Sequence, residues 1–362
     1  MSLSETCSTM YRNATDPTLW EHSFQQITPY LVNEEPELYM KLLNLNRFKR
    51  IKKIFLELTY SLSTKHIYAL FGSLGQKKYL EEVYFGGGEC NLSSVPSNVL
   101  TNFLKEIPSV TFDFGTRITE EQVRSLFKSI ENGNNVKKLY LEEMNLESIE
   151  ANTFARAVNH LKEFSSHYIE ITDEQVKEMF YEMTKQTNLE KFVFHHTHVK
   201  HIDADTLAQA FNNLTDLTIN LSDLPFSNNQ ILKIFKQMAQ KTKLEKLEIL
   251  TYSYPDMWDF SFIPPNILAD AVKSLREIYM TDIVFSNSQI CRMLEILAKN
   301  DEKIVLDLGC CNLSDVPLEL LKEVFEKLEP NNFARKLQYR IVQLNSESAV
   351  NQLRNEIDEV VG

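Results

Sequence analysis

Apolar and polar residues alternate along this chain in a pattern that returns about every 28 residues. Each repeat holds a short run with an apolar residue at every second position, which predicts a strand. An amphipathic run with apolar residues at i, i+3, i+4 and i+7 follows and predicts a helix. One such unit cannot bury its own apolar face, so neighbouring units must stack and share a core. The predicted strand centres are Ile54, Val83, Phe112, Leu139, Ile169, Phe192, Leu217, Leu247, Ile278 and Leu306.

The repeats come in two alternating versions. In the first version, a Ser or Thr stands three positions before a Gln, at the start of the apolar helical run. These pairs are Thr119 and Gln122, Thr172 and Gln175, Ser227 and Gln230, and Ser286 and Gln289. The second version is clearest at 90–96, where Cys-Asn-Leu-Ser-Ser-Val-Pro recurs with one change at 311–317. Its Asn, found as Asn91, Asn145 and Asn312, is predicted to cap backbone groups in a turn.

The strand runs follow the form Leu-x-x-Leu-x-Leu with apolar substitutes, as at 80–85 and 244–249. With the helices, they resemble the leucine-rich repeat in the long α/β form of ribonuclease-inhibitor-like proteins. The resemblance implies a horseshoe solenoid of about ten to eleven repeats, with parallel strands on the concave face and helices on the convex face. The solenoid is predicted at 49–335, between a helical N-terminal cap at 1–48 and a degenerate capping repeat at 336–362.

Composition narrows the classes of function. The formal net charge of −12 opposes nucleic-acid binding, which needs clustered Lys and Arg. The five Cys residues are scattered, and no apolar run resembles a secretory leader or a membrane span. These features predict a cytoplasmic protein without membrane association, with the nucleus as the alternative compartment.

Catalytic and cofactor chemistry is not predicted. No nucleophile, base and acid can be placed together, so we expect a protein that is not an enzyme and holds no cofactor or metal. The His-rich stretch at 195–201 is interpreted as a polar strand exit rather than a zinc site. The glycines at 86–88 lack the Gly-Lys-Ser/Thr of a phosphate loop and are interpreted as providing room in a turn.

The concave face is the predicted binding surface. Side chains alternate between the faces of a strand, so residues beside the core positions should line this face. It is predicted to be rich in Tyr and carboxylates with almost no cations, which suits another protein with a basic surface. The alternative is that these are ordinary solvated strand residues. The predicted contacts are Glu57, Tyr84, Asp113, Tyr140, Glu142, Tyr168, Glu170, His195, Asn220, Glu248, Tyr279 and Asp307.

A second predicted contact lies in one loop. Residues 251–265 are more numerous and more aromatic than their equivalents in other repeats. Insertions at one edge of a solenoid are often binding loops, which makes Tyr252, Tyr254 and Trp258 candidates. The alternative is that Trp258 and Phe260 fill the core beneath a longer excursion.

The beginning of the chain contains a further sequence motif. Residues 7–24 contain Cys-x-x-x-Tyr and then Asp-Pro-x-Leu-Trp. They resemble the final part of an F-box, which in that family docks on an adaptor subunit of a cullin-type ubiquitin ligase while the repeats select a substrate. The matching positions are Cys7, Tyr11, Asp16, Pro17, Leu19 and Trp20. The resemblance implies a substrate receptor of an SCF-type ligase. An inhibitor or scaffold of ribonuclease-inhibitor type that holds a basic protein is the alternative.

Overall fold

The structure is a computed structural model of the chain, and it separates into two compact units. Unit 1 contains the described residues up to Thr172, and unit 2 contains the described residues from Asp173 onward. The structure describes residues 51–58, 63–86, 90–185, 187–194, 199–220, 226–240, 243–250, 258–280, 283–299, 304–308 and 316–325.

Unit 1 alternates strands and helices, and its strands pair in parallel in the order of the chain. The core position of each strand forms one buried row across the sheet: Ile54, Val83, Val110, Leu139 and Phe164. The described elements are β1 (Lys53–Leu56), α1 (Thr64–Gly75), β2 (Glu82–Phe85), α2 (Ser97–Leu104), β3 (Ser109–Phe112), α3 (Glu120–Glu131), β4 (Lys138–Glu142), α4 (Ala151–His160) and β5 (Glu163–His167).

Unit 2 has the same alternation. Its strands β6, β7, β8, β10 and β12 pair in parallel in that order, and the short β9 pairs with β11. The described elements are α5 (Asp173–Met183), β6 (Lys191–Phe194), α6 (Ala204–Ala210), β7 (Asp216–Asn220), α7 (Asn228–Gln240), β8 (Lys246–Leu250), β9 (Trp258–Asp259), α8 (Pro265–Val272), β10 (Glu277–Met280), β11 (Ile283–Val284), α9 (Asn287–Leu297), β12 (Val305–Asp307) and α10 (Leu318–Phe325). Short 3-10 turns at Val199–His201 and Phe211–Asn213 flank α6.

The core of each unit lies between its sheet and its helices. Alternate strand residues are buried, as the two-residue period requires, and the apolar stripe of each helix is buried against them. Aromatic residues link successive repeats. In unit 1 the rings of Phe85 and Phe112 stack with centroids 5.2 Å apart, and in unit 2 Phe235 meets Phe260 edge-on at 5.8 Å. The fold is therefore an α/β solenoid of the leucine-rich-repeat type, as the sequence predicts.

The two versions of the repeat differ in how their helices begin. Thr119 and Ser286 cap α3 and α9 in capping boxes, in which the side chain of Gln122 or Gln289 returns to the backbone of the capping residue. In contrast, α2 and α8 begin after a Pro that makes no side-chain cap. The two versions therefore differ in these helix starts, whereas α6 of the second version begins with a side-chain cap from Asp203.

The Gln of the first version also ties its repeat to the preceding one. The side-chain amide of Gln289 donates to the carbonyl oxygens of Phe260, at 2.8 Å, and Ile263, at 2.6 Å. Gln230 makes the equivalent bonds to the carbonyls of Val199 and Ile202, and Gln122 to those of Leu92 and Val95. All three Gln side chains are buried. Each Gln side chain therefore bonds to the backbone at the start of its own helix and to carbonyl groups of the preceding repeat. This role was not predicted from the sequence.

The predicted position of the fifth strand is wrong. The sequence places its centre at Ile169, whereas β5 covers Glu163–His167 and pairs Phe164 with Leu139. A polar residue, Ser166, is fully buried in the core position opposite Leu141. Strands are predicted from apolar residues at every second position. Ser165 and Ser166 break that pattern, so the strand is not recognised here.

Several predictions concern residues outside the described ranges. These are the F-box-like positions, the two terminal caps, Asn312, His195, Tyr252 and Tyr254. The boundaries at 49 and 335 remain predictions. None of the helices in the described ranges combines the length and the apolar character needed to cross a bilayer.

Candidate functional site

The face of the unit 1 sheet that the helices leave uncovered is called here the open face. Strand register places its side chains in three rows that run across the strands. Row 1 lies at the strand starts and contains Lys53, Glu82, Ser109, Lys138 and Glu163. Row 2 contains Phe55, Tyr84, Thr111, Tyr140 and Ser165. Row 3 follows at the strand ends and contains Glu57, Gly86, Asp113, Glu142 and His167.

A groove of about 780 Å³ lies on the open face. All three rows line it, and four of the predicted contact residues do so: Tyr84, Asp113, Tyr140 and Glu142. Two residues separated by 58 positions in the chain, Tyr84 and Glu142, thus share one surface depression. A volume of this size accommodates several side chains of a partner.

Row 1 consists largely of ion pairs between adjacent strands. Lys53 Nζ lies 2.6 Å from a carboxylate oxygen of Glu82, and Lys138 pairs with Glu163. The hydroxyl of Tyr140 also donates to Glu163, at 2.5 Å. The prediction of almost no cations on this face is therefore wrong for both lysines. The residues two positions before Tyr84 and Tyr140 are Glu82 and Lys138, so the same two-residue period would have identified this row from the sequence.

Row 2 carries the aromatic surface of the groove. The rings of Phe55 and Tyr84 stack with their centroids 4.8 Å apart, since β1 and β2 place them directly opposite each other. Thr111 separates Tyr84 from Tyr140, and Ser165 ends the row. Two Tyr side chains therefore flank a small residue, which leaves space above Thr111.

Row 3 contains a pair of carboxyl groups in mutual contact. Asp113 and Glu142 are joined by a side-chain hydrogen bond, and the Tyr84 hydroxyl donates to Asp113. The backbone N–H of Phe114 donates to both carboxyl groups. Two carboxyl groups in direct contact share a proton readily, because both cannot ionise without strong repulsion.

The pKa values of Asp113 and Glu142 are shifted in opposite directions. Burial raises the pKa of Glu142, and the hydrogen bond to Asp113 and its negative charge raise it further. Burial acts in the same direction on Asp113, but hydrogen bonds from Tyr84 and Glu142 outweigh it and hold the pKa of Asp113 below its usual range. Burial and the Asp113 carboxylate also raise the pKa of Tyr84. Asp113 is thus the ionised member of the pair, and burial lowers the pKa of the adjacent His167.

Gly86 makes this arrangement sterically feasible. A Cβ atom on Gly86 would lie 2.8 Å from Cβ of Asp113 and 2.9 Å from its Oδ2. Contacts this short do not occur between real side chains, so only glycine fits at this place in row 3. The glycines are interpreted as providing space in a turn. At Gly86 this holds, and the side chains of Asp113 and Tyr84 occupy the space that a Cβ atom would need.

The loops after β3, β4 and β5 form the rim of the open face at the carboxyl ends of the strands. The loops after β4 and β5 are joined by backbone hydrogen bonds, from Glu143 N–H to the His167 carbonyl at 2.9 Å and from Glu170 N–H to the Met144 carbonyl at 2.8 Å. The Asn145 side chain donates to the Glu170 carboxylate at 2.6 Å, and its oxygen accepts from the Glu147 N–H. Asn145 therefore has the turn role predicted for it.

Tyr168 and Glu170 do not occupy the strand positions predicted for them. Both follow β5 and belong to the rim, because the strand begins and ends earlier than the sequence indicates. Glu170 fastens the loop through Asn145, whereas the side chain of Tyr168 is 52 % exposed. Ser165 and His167 take the places on the open face that were assigned to this pair.

Unit 2 places three predicted contacts in one row across its own sheet. Glu248, Tyr279 and Asp307 are register partners on β8, β10 and β12. Lys246 lies 3.2 Å from the Glu248 carboxylate and 5.4 Å from the centre of the Tyr279 ring. Asp307 is buried, which limits its access to a partner. Lys246 is again a cation on a face for which the sequence predicts few.

The aromatic loop of unit 2 is described from Trp258 onward. Trp258 lies in β9, opposite Ile283 of β11, and its side chain is half-buried. Phe260 is fully buried and contacts Phe235 and Phe285 edge-on, at 5.8 Å and 5.9 Å. The alternative of core filling is therefore correct for Phe260. The remaining seven residues of this loop, 251–257, lie outside the described ranges.

Comparison with known proteins adds similarity at the level of solved structures only. No protein-family model matches the chain, and no curated protein matches its sequence. The TLR13–ssRNA13 complex is similar with a TM-score of 0.41 and 13 % identity, over 74 % of this chain and 34 % of that chain. This chain thus spans about a third of the length of that structure. The Rad7–Elc1 complex of yeast is similar with a TM-score of 0.35 and 12 % identity, over 90 % of this chain and 84 % of that chain.

Proposed function

We propose that this protein is a non-catalytic recognition module that binds another protein on the open face of unit 1. The observation that carries the proposal is the groove in which Tyr84 and Tyr140 stand beside the carboxyl pair of Asp113 and Glu142. Tyr combines a large contact area with a hydrogen-bonding tip and loses little conformational entropy when it is fixed. The sheet face of a solenoid also offers such residues on a rigid support.

The charges of the open face indicate the chemistry of the partner. The lysines of row 1 are paired with Glu82 and Glu163, so this row is close to neutral. Among the described residues, the groups that donate hydrogen bonds to the Asp113 and Glu142 pair are the Tyr84 hydroxyl and the Phe114 backbone, and neither is a cation. The surplus charge of the face is therefore negative and lies in row 3. A basic surface on the partner complements it.

Further contacts with a partner are proposed in unit 2, on its sheet and in its aromatic loop. Glu248 and Tyr279 are partly exposed beside Lys246 and would contact a partner through a patch of unit 2 itself. The proposed residues of this unit are His195, Asn220, Glu248, Tyr279, Asp307, Tyr252, Tyr254 and Trp258.

A more specific role follows from the resemblance at the beginning of the chain. The F-box-like residues between Cys7 and Trp20 support a substrate receptor of an SCF-type ubiquitin ligase, in which they contact an adaptor subunit. The second candidate is an inhibitor or scaffold that holds a basic protein without an adaptor, which the negative surplus of row 3 supports. The two roles share the open face and differ in their additional partners.

Affinity capture tests the proposal. The tagged full-length chain, a groove variant with Tyr84→Ser and Tyr140→Ser, and a control variant with Tyr68→Ser are incubated with an extract of the cells that produce the protein. Tyr68 lies on α1, and its side chain is 49 % exposed, so its replacement alters an aromatic surface away from the groove. Bound proteins are identified by mass spectrometry, with nuclease treatment as a parallel arm.

The expected result is a protein that the original chain and the control retain and the groove variant loses. Recovery of adaptor and cullin subunits with it supports the ligase receptor, and recovery of one basic protein supports the inhibitor. Capture that the groove variant leaves unchanged would refute binding on the open face. Loss of capture after nuclease treatment would identify a nucleic acid as the partner instead.

A further inference from the structure

Two large aromatic side chains are exposed on the rim of unit 1. Phe114, in the loop after β3, is 53 % exposed, and Tyr168, in the loop after β5, is 52 % exposed. The two loops belong to strands with only β4 between them, so they lie roughly 10 Å apart at the usual strand spacing. Aromatic residues exposed at one edge of a sheet suit contact with another protein, because aromatic side chains are enriched at interfaces.

Phe114 is an additional residue in its loop. The chain makes equivalent isolated bridges at Arg117, after β3, and at Glu170, after β5. The path from Asp113 to Arg117 is one residue longer than the path from His167 to Glu170. Gly115, with φ of 77°, takes the left-handed conformation that Glu143 and Tyr168 take in the other two loops. The additional residue is thus accommodated by glycine, and it presents an aromatic ring to solvent.

Tyr168 adopts its exposed position at an energetic cost. Its φ is 53°, in the left-handed region that disfavours residues with a bulky side chain. A left-handed residue of this kind costs roughly 1–2 kcal/mol. Glycine or asparagine would fit this backbone better, and about half of the tyrosine surface is exposed. Such retained strain is typical of residues with a role in contact with another molecule.

Carboxyl groups lie in the loop between the two aromatic residues and in row 3. Glu143, in the loop between them, is exposed, and the carboxyl pair of Asp113 and Glu142 lies one step below in row 3. The backbone N–H of Phe114 is bonded to this pair, so the additional residue and the carboxyl groups are structurally connected. The rim therefore places two exposed aromatic residues, about 10 Å apart at the usual strand spacing, on either side of a loop that carries a carboxylate.

We propose that this rim seats an arginine side chain of the bound protein, packed between Phe114 and Tyr168 and paired with Glu143 and the Asp113–Glu142 pair. The proposal rests on the function proposed above and names the chemistry that the partner must present. A guanidinium group is planar, stacks on aromatic faces and donates two parallel hydrogen bonds to carboxylates. A lysine ammonium offers charge without the planar stacking surface, and a purely apolar side chain would leave the carboxylates without a partner.

Selection of peptides tests this inference independently of the natural partner. A phage library of random dodecapeptides is selected against the immobilised full-length chain, and peptides that bind are synthesised. In each peptide, Arg residues are replaced singly by citrulline, which keeps the shape and removes the charge, and by Lys. Dissociation constants are measured by isothermal titration calorimetry.

The protein variants separate the rim from the rest of unit 1. The rim variant is Phe114→Ser with Tyr168→Gly, in which glycine suits the left-handed backbone and should not impair folding. The matched control is Tyr79→Ser, since Tyr79 is 55 % exposed in the turn before β2, at the opposite ends of the strands. The groove variant of the capture experiment is included. Thermal unfolding verifies that each variant is folded.

The expected result is enrichment of Arg-containing peptides whose affinity falls about tenfold with citrulline at one position and about tenfold in the rim variant, as one charged aromatic contact implies. The Tyr79 control should leave the affinity unchanged. Enrichment of peptides without Arg, equal binding of citrulline peptides, full binding by the rim variant, or no enrichment would each overturn the inference. A captured protein that needs Tyr84 and Tyr140 would still support the proposed function in any of those cases.

Discussion

Gly86 lies directly against the ring of Tyr84: a Cβ atom built on the glycine would stand 2.5 Å from Cε1 of that ring. The backbone φ of Gly86 does not require glycine, so the constraint is the close approach of the two residues. Asp113 completes the crowded group from the next strand. The conformation of the groove therefore depends on the absence of one side chain.

Replacement of Gly86 by Ala should disturb the groove. The added methyl group must displace Tyr84, Asp113 or the backbone, and such overpacking costs roughly 1–3 kcal/mol. We expect a lower free energy of unfolding in urea and altered NMR signals of Tyr84 and Asp113. Gly72→Ala is the matched control, because a Cβ atom added there would meet open space and α1 should gain about 0.5–1 kcal/mol from alanine. Equal effects of the two substitutions would contradict the steric account.

Replacement of Gln289 by Leu should weaken the connection between two neighbouring repeats and lower the stability of the protein. Leucine keeps most of the volume, but the carbonyls of Phe260 and Ile263 lose their donor and the capping box of α9 is broken. An unsatisfied buried polar group costs roughly 1–3 kcal/mol, so we expect at least that loss of stability in urea unfolding. Gln209→Leu, at an exposed position of α6, serves as the control. A Gln289 variant as stable as this control would show that the bonds add no net stability.

Replacement of Glu142 by Gln should have an effect that depends on pH. The pKa of Glu142 is raised in the folded protein, first by burial and then by Asp113. Its contribution to stability is therefore present below the unfolded pKa of about 4.3 and is lost as the pH rises through the folded pKa. Gln stays neutral and shows no such loss.

We therefore expect Glu142→Gln to gain stability relative to the original chain in the pH window that opens above the unfolded pKa of about 4.3. Asp113 remains ionised across this window because its pKa is lowered. Urea unfolding at a series of pH values measures the difference. Glu147→Gln, an exposed position on the next loop, provides the control. A difference that is independent of pH would contradict the proton-sharing pair.

Salt should weaken the binding of the partner if row 3 attracts a basic surface. Exposed charges are screened within about 10 Å at 0.1 M salt, so the association rate should fall steeply as salt increases. Stopped-flow or surface-plasmon measurements of the captured protein at low and high salt provide the check. Asp113→Asn should reduce both the affinity and the slope with salt. An affinity that does not change with salt would refute charge steering on this face.

Phe260 and Trp258 should respond differently to truncation. Phe260→Ala removes a fully buried ring between Phe235 and Phe285 and should cost roughly 3–5 kcal/mol in thermal or urea unfolding. Trp258 is half-buried, so Trp258→Ala should cost less and should weaken partner binding if the loop takes part in recognition. Normal binding by a Trp258 variant with reduced stability would assign this residue to packing as well.

Much of the fold could be predicted from the sequence because its repeats are local. Helices of the first version carry an apolar stripe and a Ser or Thr cap within a dozen residues, as α3 and α9 show. The alternation at β2 and β4 is equally local, and it placed Tyr84, Tyr140 and Glu142 on the open face. Such patterns depend on residues close together in the chain, which a sequence displays directly.

The candidate site could be predicted only in part. Its aromatic and acidic residues follow from strand alternation, whereas the lysines of row 1 required the register of whole strands. The bonds from Gln122, Gln230 and Gln289 join positions about a repeat apart, and nothing in their local sequence identifies the acceptor carbonyls. Phe114 likewise became notable only when its loop could be compared with the bridged loop that ends at Glu170.

The sequence by itself determined the repeating strand and helix, the two alternating versions and the side of each strand on which Tyr and carboxylate residues fall, since these depend on backbone periodicity. The tertiary structure decided where β5 lies, because pairing with β4 overrides the polar pair Ser165 and Ser166 in the apolar pattern. It also decided that Asp113 and Glu142 lie close enough to shift each other's pKa in opposite directions, and that Gly86 is needed beside them. Those properties arise from distances between strands, which are fixed only when the strands pack.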